Sequence, residues 1–201
     1  MTIPILYSYR RCPYAMRARM ALRYSNITVD IHEVSLKHKP ALMLSVSPKA
    51  TVPVLVLNDG KVIEQSLDIM QWALSQQDVD DWLLNNQAGL FSKAQVLITE
   101  NDTSFKQELD RYKYAVRFPE KPPQAYRIEG EIFLQKLEDL LSKYQHLLRD
   151  EVSIADIAIF PFIRQFRGVD EIWFEQAPYP KVREWLAQLV NSTLFTNIMQ
   201  K

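Results

Sequence analysis

Pro4-Ile-Leu-Tyr-Ser-Tyr-Arg-Arg-Cys-Pro-Tyr-Ala15, continued by Met16-Arg-Ala-Arg-Met-Ala-Leu22, decides the reading of this chain. Ile3 to Tyr9 read as a short apolar strand, and from Tyr14 to Tyr24 the residues Met16, Met20, Ala21 and Tyr24 recur at helical spacing. Cys12, the only cysteine, stands at the hand-over between the two. Pro13 suits a first helical turn, because its missing N–H has no intrahelical partner there. A helix start presents unpaired N–H groups with partial positive charge, and Arg10, Arg11 and Arg17 lie close by in sequence. Both favour the thiolate, the nucleophilic form of cysteine. A lone cysteine is usually a small buried apolar residue, but this setting marks Cys12 as a reactive or ligand-contacting thiol.

Downstream, Thr28 to His32 alternate with a period of two, Val29 and Ile31 on one side, until Glu33 and Val34 break the pattern. Pro40 to Val46 make a short helix closed by Ser47-Pro48. Val52 to Leu57, Asn58-Asp59-Gly60 and Lys61 to Glu64 outline a β-hairpin, with Asp-Gly supplying the positive φ angles of a tight turn. Ser66 then starts a helix through Ile69, Met70, Trp72 and Ala73 and is able to cap it. The order is βαβαββα over residues 1–77.

A polar stretch follows, with residues 78–82 as linker, and from residue 83 to 201 the pattern is helical throughout. Segments near 84–115 and 123–149 carry apolar residues at three- and four-residue spacing, parted by the prolines between 119 and 123, and read as two long helices. Ser153-Ile-Ala-Asp156 has the form of a capping box before the apolar run Ile157 to Phe160, too apolar for a surface helix and therefore the buried spine of this half. The fold class expected is α/β plus all-α, in two domains.

Composition narrows the function. Lys plus Arg and Asp plus Glu each number 24, so no net field attracts nucleic acid or an anionic membrane. No apolar run approaches the roughly 18 to 20 residues of a membrane span. One cysteine excludes an internal disulfide framework, and Met-Thr-Ile-Pro lacks the pattern of a secretory signal, so the expected compartment is the reducing cytoplasm. His32, His38 and His146 are scattered without zinc-site spacing, and no metal is expected. No glycine cluster precedes a helix to form a phosphate loop.

One constellation remains: the Cys12 thiol, Val52-Pro53 before a strand, and Gln65-Ser66 opening a helix. A small α/β sheet brings these together. With Pro53 cis, the backbone at Val52 faces outward to pair with an extended peptide. Gln65 and Ser66 suit a carboxylate at a helix N-terminus, and Lys39 suits another. A small, extended thiol peptide with two carboxylates satisfies all of these groups at once.

At these residues the chain resembles the cytosolic glutathione transferases, with a thioredoxin-like N-terminal half and a helical C-terminal half. Cys12-Pro13-Tyr14-Ala15 is similar to the Cys-Pro-Phe-Ala or Cys-Pro-Tyr-Ala active site of the omega class, and Leu36-Lys37-His38-Lys39-Pro40 resembles that class's Leu-Lys-x-Lys-Pro segment. The resemblance implies that Cys12 attacks or holds the glutathione sulfur, and that Lys39 contacts the glycine carboxylate. It also implies that Val52, beside Pro53, pairs with the cysteinyl backbone and that Gln65 and Ser66 bind the γ-glutamyl end. Gln65 departs from the Glu usual in the omega class, although Gln is common there in other classes. Ser153-x-x-Asp156 matches the family's folding signature. Two-fold homodimers are the family's habit.

With no second cysteine, an intrachain dithiol mechanism is excluded. The expected activity is glutathione-dependent thiol transfer, in which Cys12 forms a mixed disulfide resolved by a second glutathione. Alternatives are conjugation of glutathione activated by Tyr7 or Ser8, and a non-catalytic interaction module on the same fold. Maleylacetoacetate isomerisation, a further activity within the family, has no dedicated motif here.

Overall fold

The computed structural model describes residues 3–35, 37–87 and 89–200; Leu36 of the Leu36–Pro40 segment lies outside them. The N-terminal half is built from β1 (Ile5–Ser8), α1 (Pro13–Tyr24), β2 (Asp30–Glu33), α2 (Ala41–Val46), β3 (Val54–Val56), β4 (Val62–Ile63) and α3 (Ser66–Gln76), the βαβαββα order expected. The helical half comprises α4 (Leu90–Glu100), α5 (Lys106–Lys113), α6 (Pro123–Leu141), α7 (Ile154–Arg167), α8 (Glu171–Gln176), α9 (Pro180–Val190) and α10 (Thr193–Met199).

The sheet has the order β2-β1-β3-β4, with β1 parallel to β2 and antiparallel to β3, and β3 antiparallel to β4. This is a thioredoxin-like mixed sheet. Alternation sorts its side chains. Tyr7 and Val54, opposite each other, join Val34 and Met43 of the α2 side in one buried cluster. Leu6, Leu55 and Ile63, linked through the β1–β3–β4 register, fall on the other face. Helices α1 and α3 pack on each other and bury Met16, Met20, Ile69, Met70 and Ala73. β2 is an edge strand with all four residues exposed, Ile31 among them at 49%, so its period-two pattern marks a strand without marking a buried face.

Two turns differ in detail from expectation. At the hairpin only Gly60 takes a positive φ, +85°, while the Asp59 carboxylate accepts the Lys61 N–H, so one residue rather than two turns the chain. At α3 the N-cap is Gln65 and Ser66 is the first helical residue. Its hydroxyl does not cap, because it accepts a hydrogen bond from Arg17 Nε at 3.0 Å instead.

The polar residues after α3 are pinned to α1. The Asp78 carboxylate accepts the N–H groups of Trp82 and Leu83, the Tyr24 hydroxyl donates to Asp80, and Trp82 stacks on Tyr24 with centroids 3.7 Å apart. By packing, residues up to Leu83 form one compact unit and Leu84–Ser192 a second, while α10 returns to the first unit against α1. In sequence, the second unit is therefore bounded at both ends by chain of the first.

Within the second unit the expected long helices are interrupted. The first begins only at Leu90, after Leu84 and Gly89 take positive φ, and a π-helical turn at Asn101–Phe105 separates α4 from α5. The next ends at Leu141 rather than near 149, since the following loop is drawn to α7: Asp156 Oδ1 accepts the Leu147 N–H at 2.9 Å. Asp156 is fully buried, and its carboxylate also accepts from Ser153 N, Ser153 Oγ and Trp185 Nε1. The capping box is formed, and α7 is buried along nearly its whole length with Pro161 inside it. Gly130 of α6 admits the Phe166 ring; a Cβ there would lie 2.7 Å from it.

Candidate active site

Cys12 is the N-cap residue of α1, with extended backbone (φ −78°, ψ 122°) and a half-buried side chain. Pro13 opens the helix, and the Met16 N–H reaches the Cys12 carbonyl, so the thiol sits where the helix presents its positive end. Across the site the Val52–Pro53 peptide is cis, and Cys12 Sγ lies 3.8 Å from the Val52 carbonyl oxygen. The α1 and β3 ends of the constellation are thus brought together.

The Gln65-Ser66 end is joined to the same helix. Arg17, one turn beyond Cys12, is buried, stacks over Tyr14 at 5.0 Å, and holds the Ser66 hydroxyl. A hydroxyl that accepts from a guanidinium keeps its own O–H to donate outward, which suits a carboxylate. The Gln65 side chain is exposed and makes no hydrogen bond among the described residues. Lys39 stands half-buried just before α2, and its ammonium forms no ion pair among them. Below this rim, Ser47 Oγ donates to Glu64 Oε1 at 2.6 Å, tying the end of α2 to β4.

Of the arginines expected near the thiol, Arg11 is engaged with the Tyr9 hydroxyl and ring, and the Arg10 backbone N–H binds Glu33. A fourth, Arg19, escaped the sequence reading. It is 5% exposed, and its guanidinium donates to the carbonyls of Arg10, Ala15 and Ile198, clamping the loop that carries Cys12 to α1 and α10. Burial lowers its pKa from the usual arginine range, while Glu33 and a Cys12 thiolate act in the opposite sense. The available signal was positional: Arg19 follows Ala15 by four residues, on the face that helical periodicity assigns to the core.

The two hydroxyls considered as alternatives are placed differently. Tyr7 is 4% exposed within the sheet cluster and meets the His32 ring edge-on at 5.5 Å; Ser8 Oγ is fully buried and has no hydrogen-bond partner among the described residues. His32 pairs with Asp30, and among the described residues no group of three or more His, Cys, Asp or Glu could hold a metal. No helix of the described residues is long and apolar enough to cross a membrane.

A thioredoxin-like sheet with a thiol at the start of its first helix, a cis proline opposite, and an all-helical second half define a class of glutathione-handling proteins. The family of glutathione S-transferase N-terminal domains matches residues 6–81, and that of the C-terminal domains residues 133–188. The chain belongs to the cytosolic glutathione S-transferase superfamily. It is 25% identical to glutathione S-transferase omega-1 of Mus musculus over 186 residues, covering 92% of this chain and 75% of the relative. It is 29% identical to a probable maleylacetoacetate isomerase of Caenorhabditis elegans over 202 residues, covering 95% and 88%. Its fold matches the glutathione transferase URE2P6 of Phanerochaete chrysosporium, solved with oxidized glutathione, at a TM-score of 0.83 and 19% identity, over 97% of this chain and 94% of that one.

Proposed function

We propose that this transferase is an omega-like thiol transferase, in which Cys12 exchanges glutathione with mixed disulfides. The observation that carries the reading is the contrast among the three candidate nucleophiles. The Cys12 thiol is half-buried at a helix N-terminus, whereas Tyr7 and Ser8 are enclosed in the sheet. The likeness to an omega-1 transferase supports it.

In the first step the Cys12 thiolate attacks the glutathionyl sulfur of a substrate R–S–SG. A Cys12–SG disulfide bond forms, the S–S bond of the substrate breaks, and R–S⁻ leaves to take a proton from solvent. A second glutathione, as thiolate, then attacks the glutathionyl sulfur on Cys12, releasing oxidized glutathione and restoring the thiolate. Overall, R–S–SG and one glutathione give R–SH and oxidized glutathione, so one disulfide is exchanged for another and the substrate sulfur returns to the thiol level. Lys39 would hold the glycine carboxylate, Val52, set by Pro53, the cysteinyl backbone, and Gln65 with Ser66 the γ-glutamyl carboxylate. A homodimer in the cytoplasm completes the reading.

A second reading, glutathione-assisted isomerisation or conjugation without disulfide exchange, draws on the relative named as a maleylacetoacetate isomerase. Paired assays on wild type and Cys12→Ala decide between them: glutathione-dependent reduction of hydroxyethyl disulfide, beside conjugation of an aryl halide. The expected result is reduction by wild type and only the uncatalysed background in Cys12→Ala. Retained reduction in the variant, or dominant conjugation by wild type, overturns the thiol mechanism.

A further inference from the structure

The thiol stands at the end of a tightly held turn. The Cys12 N–H reaches the Tyr9 carbonyl at 2.9 Å, so Arg10 and Arg11 form the two corners between them. Arg10 is fixed on both sides: its N–H donates to Glu33 Oε1 at 2.8 Å, and its carbonyl accepts from Arg19 Nη2 at 2.8 Å. The backbone carrying Arg11 is therefore anchored at three points beside the nucleophile.

The arginines around this turn have different surroundings. Arg17 is buried on the Ser66 hydroxyl, and Arg10 and Arg19 line a cleft between α1, β2 and α10 together with the Glu33 carboxylate. Arg11 is exposed and folds back on Tyr9 instead. Its Nε and Nη2 donate to the Tyr9 hydroxyl at 3.2 and 2.8 Å, with the guanidinium 5.7 Å from the ring centroid. A hydroxyl and a ring steady a guanidinium without neutralising it. Arg11 forms no ion pair with a carboxylate among the described residues. The Tyr9 oxygen takes two of its five N–H groups, which leaves three donors, two of them on Nη1. Consecutive Cα atoms are about 3.8 Å apart, so this charge stands on the order of one Debye length, about 10 Å at 0.1 M salt, from the thiol.

We propose that Arg11 selects, among mixed-disulfide substrates R–S–SG, those whose R half carries an acid group near the reacting sulfur. The inference rests on the thiol-transfer reading given above and names its substrate class. Whatever holds the glutathionyl half, R is bonded to it through the sulfur pair that Cys12 attacks, and R–S⁻ departs beside the Cys12 turn. A carboxylate on R meets a guanidinium already held in place, with little side-chain freedom left to lose. An ammonium on R is repelled. The bonds made and broken are those of the exchange itself, since Arg11 touches only the acid group.

Glutathione mixed disulfides of mercaptosuccinate, 2-mercaptoethanol and cysteamine present an acidic, a neutral and a cationic R on one glutathionyl half. Contacts to glutathione cancel in ratios of kcat/KM, and differences in leaving-group strength cancel when the ratios of wild type and variant are compared. Arg11→Gln should lower the acidic-to-neutral ratio about fivefold, as expected of one exposed charge pair, and raise the cationic-to-neutral ratio. A second measurement needs only the thiol. Because Cys12 is the only cysteine, alkylation by iodoacetate and by iodoacetamide, each displacing iodide, reads it alone. The thiolate fraction cancels in the ratio of the two rates, which should also fall about fivefold in Arg11→Gln. An unchanged ratio in either measurement overturns the selection by Arg11 while the thiol-transfer reading stands. No turnover of any of the three disulfides by wild type overturns that reading, and the selection with it.

Discussion

At the scale of single residues, one hydroxyl carries an instructive division of labour. Ser66 opens α3 and reads in sequence as its cap, yet the structure spends its lone pair on Arg17 and leaves its O–H as a donor. On the proposed function this makes Ser66 a ligand contact rather than a helix stabiliser. Ser66→Ala should therefore raise the glutathione KM about tenfold, the worth of a charge-assisted hydrogen bond, with kcat nearly unchanged. Steady-state kinetics with varied glutathione checks it; an unchanged KM would show that the hydroxyl serves only Arg17. Cys12 was legible for a simple reason. Its chemistry depends on a helix start and neighbouring proline, both local features of sequence. Arg19 was not, because what makes it matter is the burial of its head among three carbonyls, one of them from α10 at the far end of the chain.

At the scale of elements, α7 is the clearest case of a local motif put to tertiary use. Ser153-x-x-Asp156 predicts a capping box, and the box is there. The same carboxylate also binds the Leu147 N–H and the Trp185 indole, gathering the loop after α6 and helix α9 on one fully buried group. Removing it would strand several buried donors. Asp156→Ala should cost about 3–5 kcal/mol, the range for breaking a buried charged network, read as a lowered denaturation midpoint with its slope unchanged. A loss below about 1 kcal/mol, the scale of an ordinary cap, would reduce Asp156 to a local role. The missed end of α6 has the same origin: periodicity continues past Leu141, but the competing bond from Leu147 N to Asp156 lies outside any local window.

At the scale of the whole molecule, buried phenols tie stability to alkaline pH. Burial, reinforced by hydrogen bonding to Glu131, pushes Tyr179 up to about 12, and burial raises Tyr24 as well. A phenol whose pKa is raised on folding adds stability that is fully present below the unfolded value of about 10. That contribution is lost as pH climbs through the folded value. Unfolding free energy should accordingly fall between about pH 10 and about pH 12, and Tyr179→Phe should flatten the decline while lowering stability at neutral pH by about 1 kcal/mol for the lost bond to Glu131. Urea titrations across that window provide the measurement; an identical slope in the variant would remove Tyr179 from the account.

By itself the sequence determined the element order of the N-terminal half, the helical character of the rest, the placement of Cys12 at a helix start and the capping box of α7. Each depends on short-range periodicity or on residues within one turn of each other. Only the tertiary structure decided that α10 rejoins the first unit, that Ser66 answers to Arg17, and that Tyr7 and Ser8 are enclosed. These are contacts between residues tens to nearly two hundred positions apart, and burial and charge pairing at that range are set by packing, which local pattern does not encode.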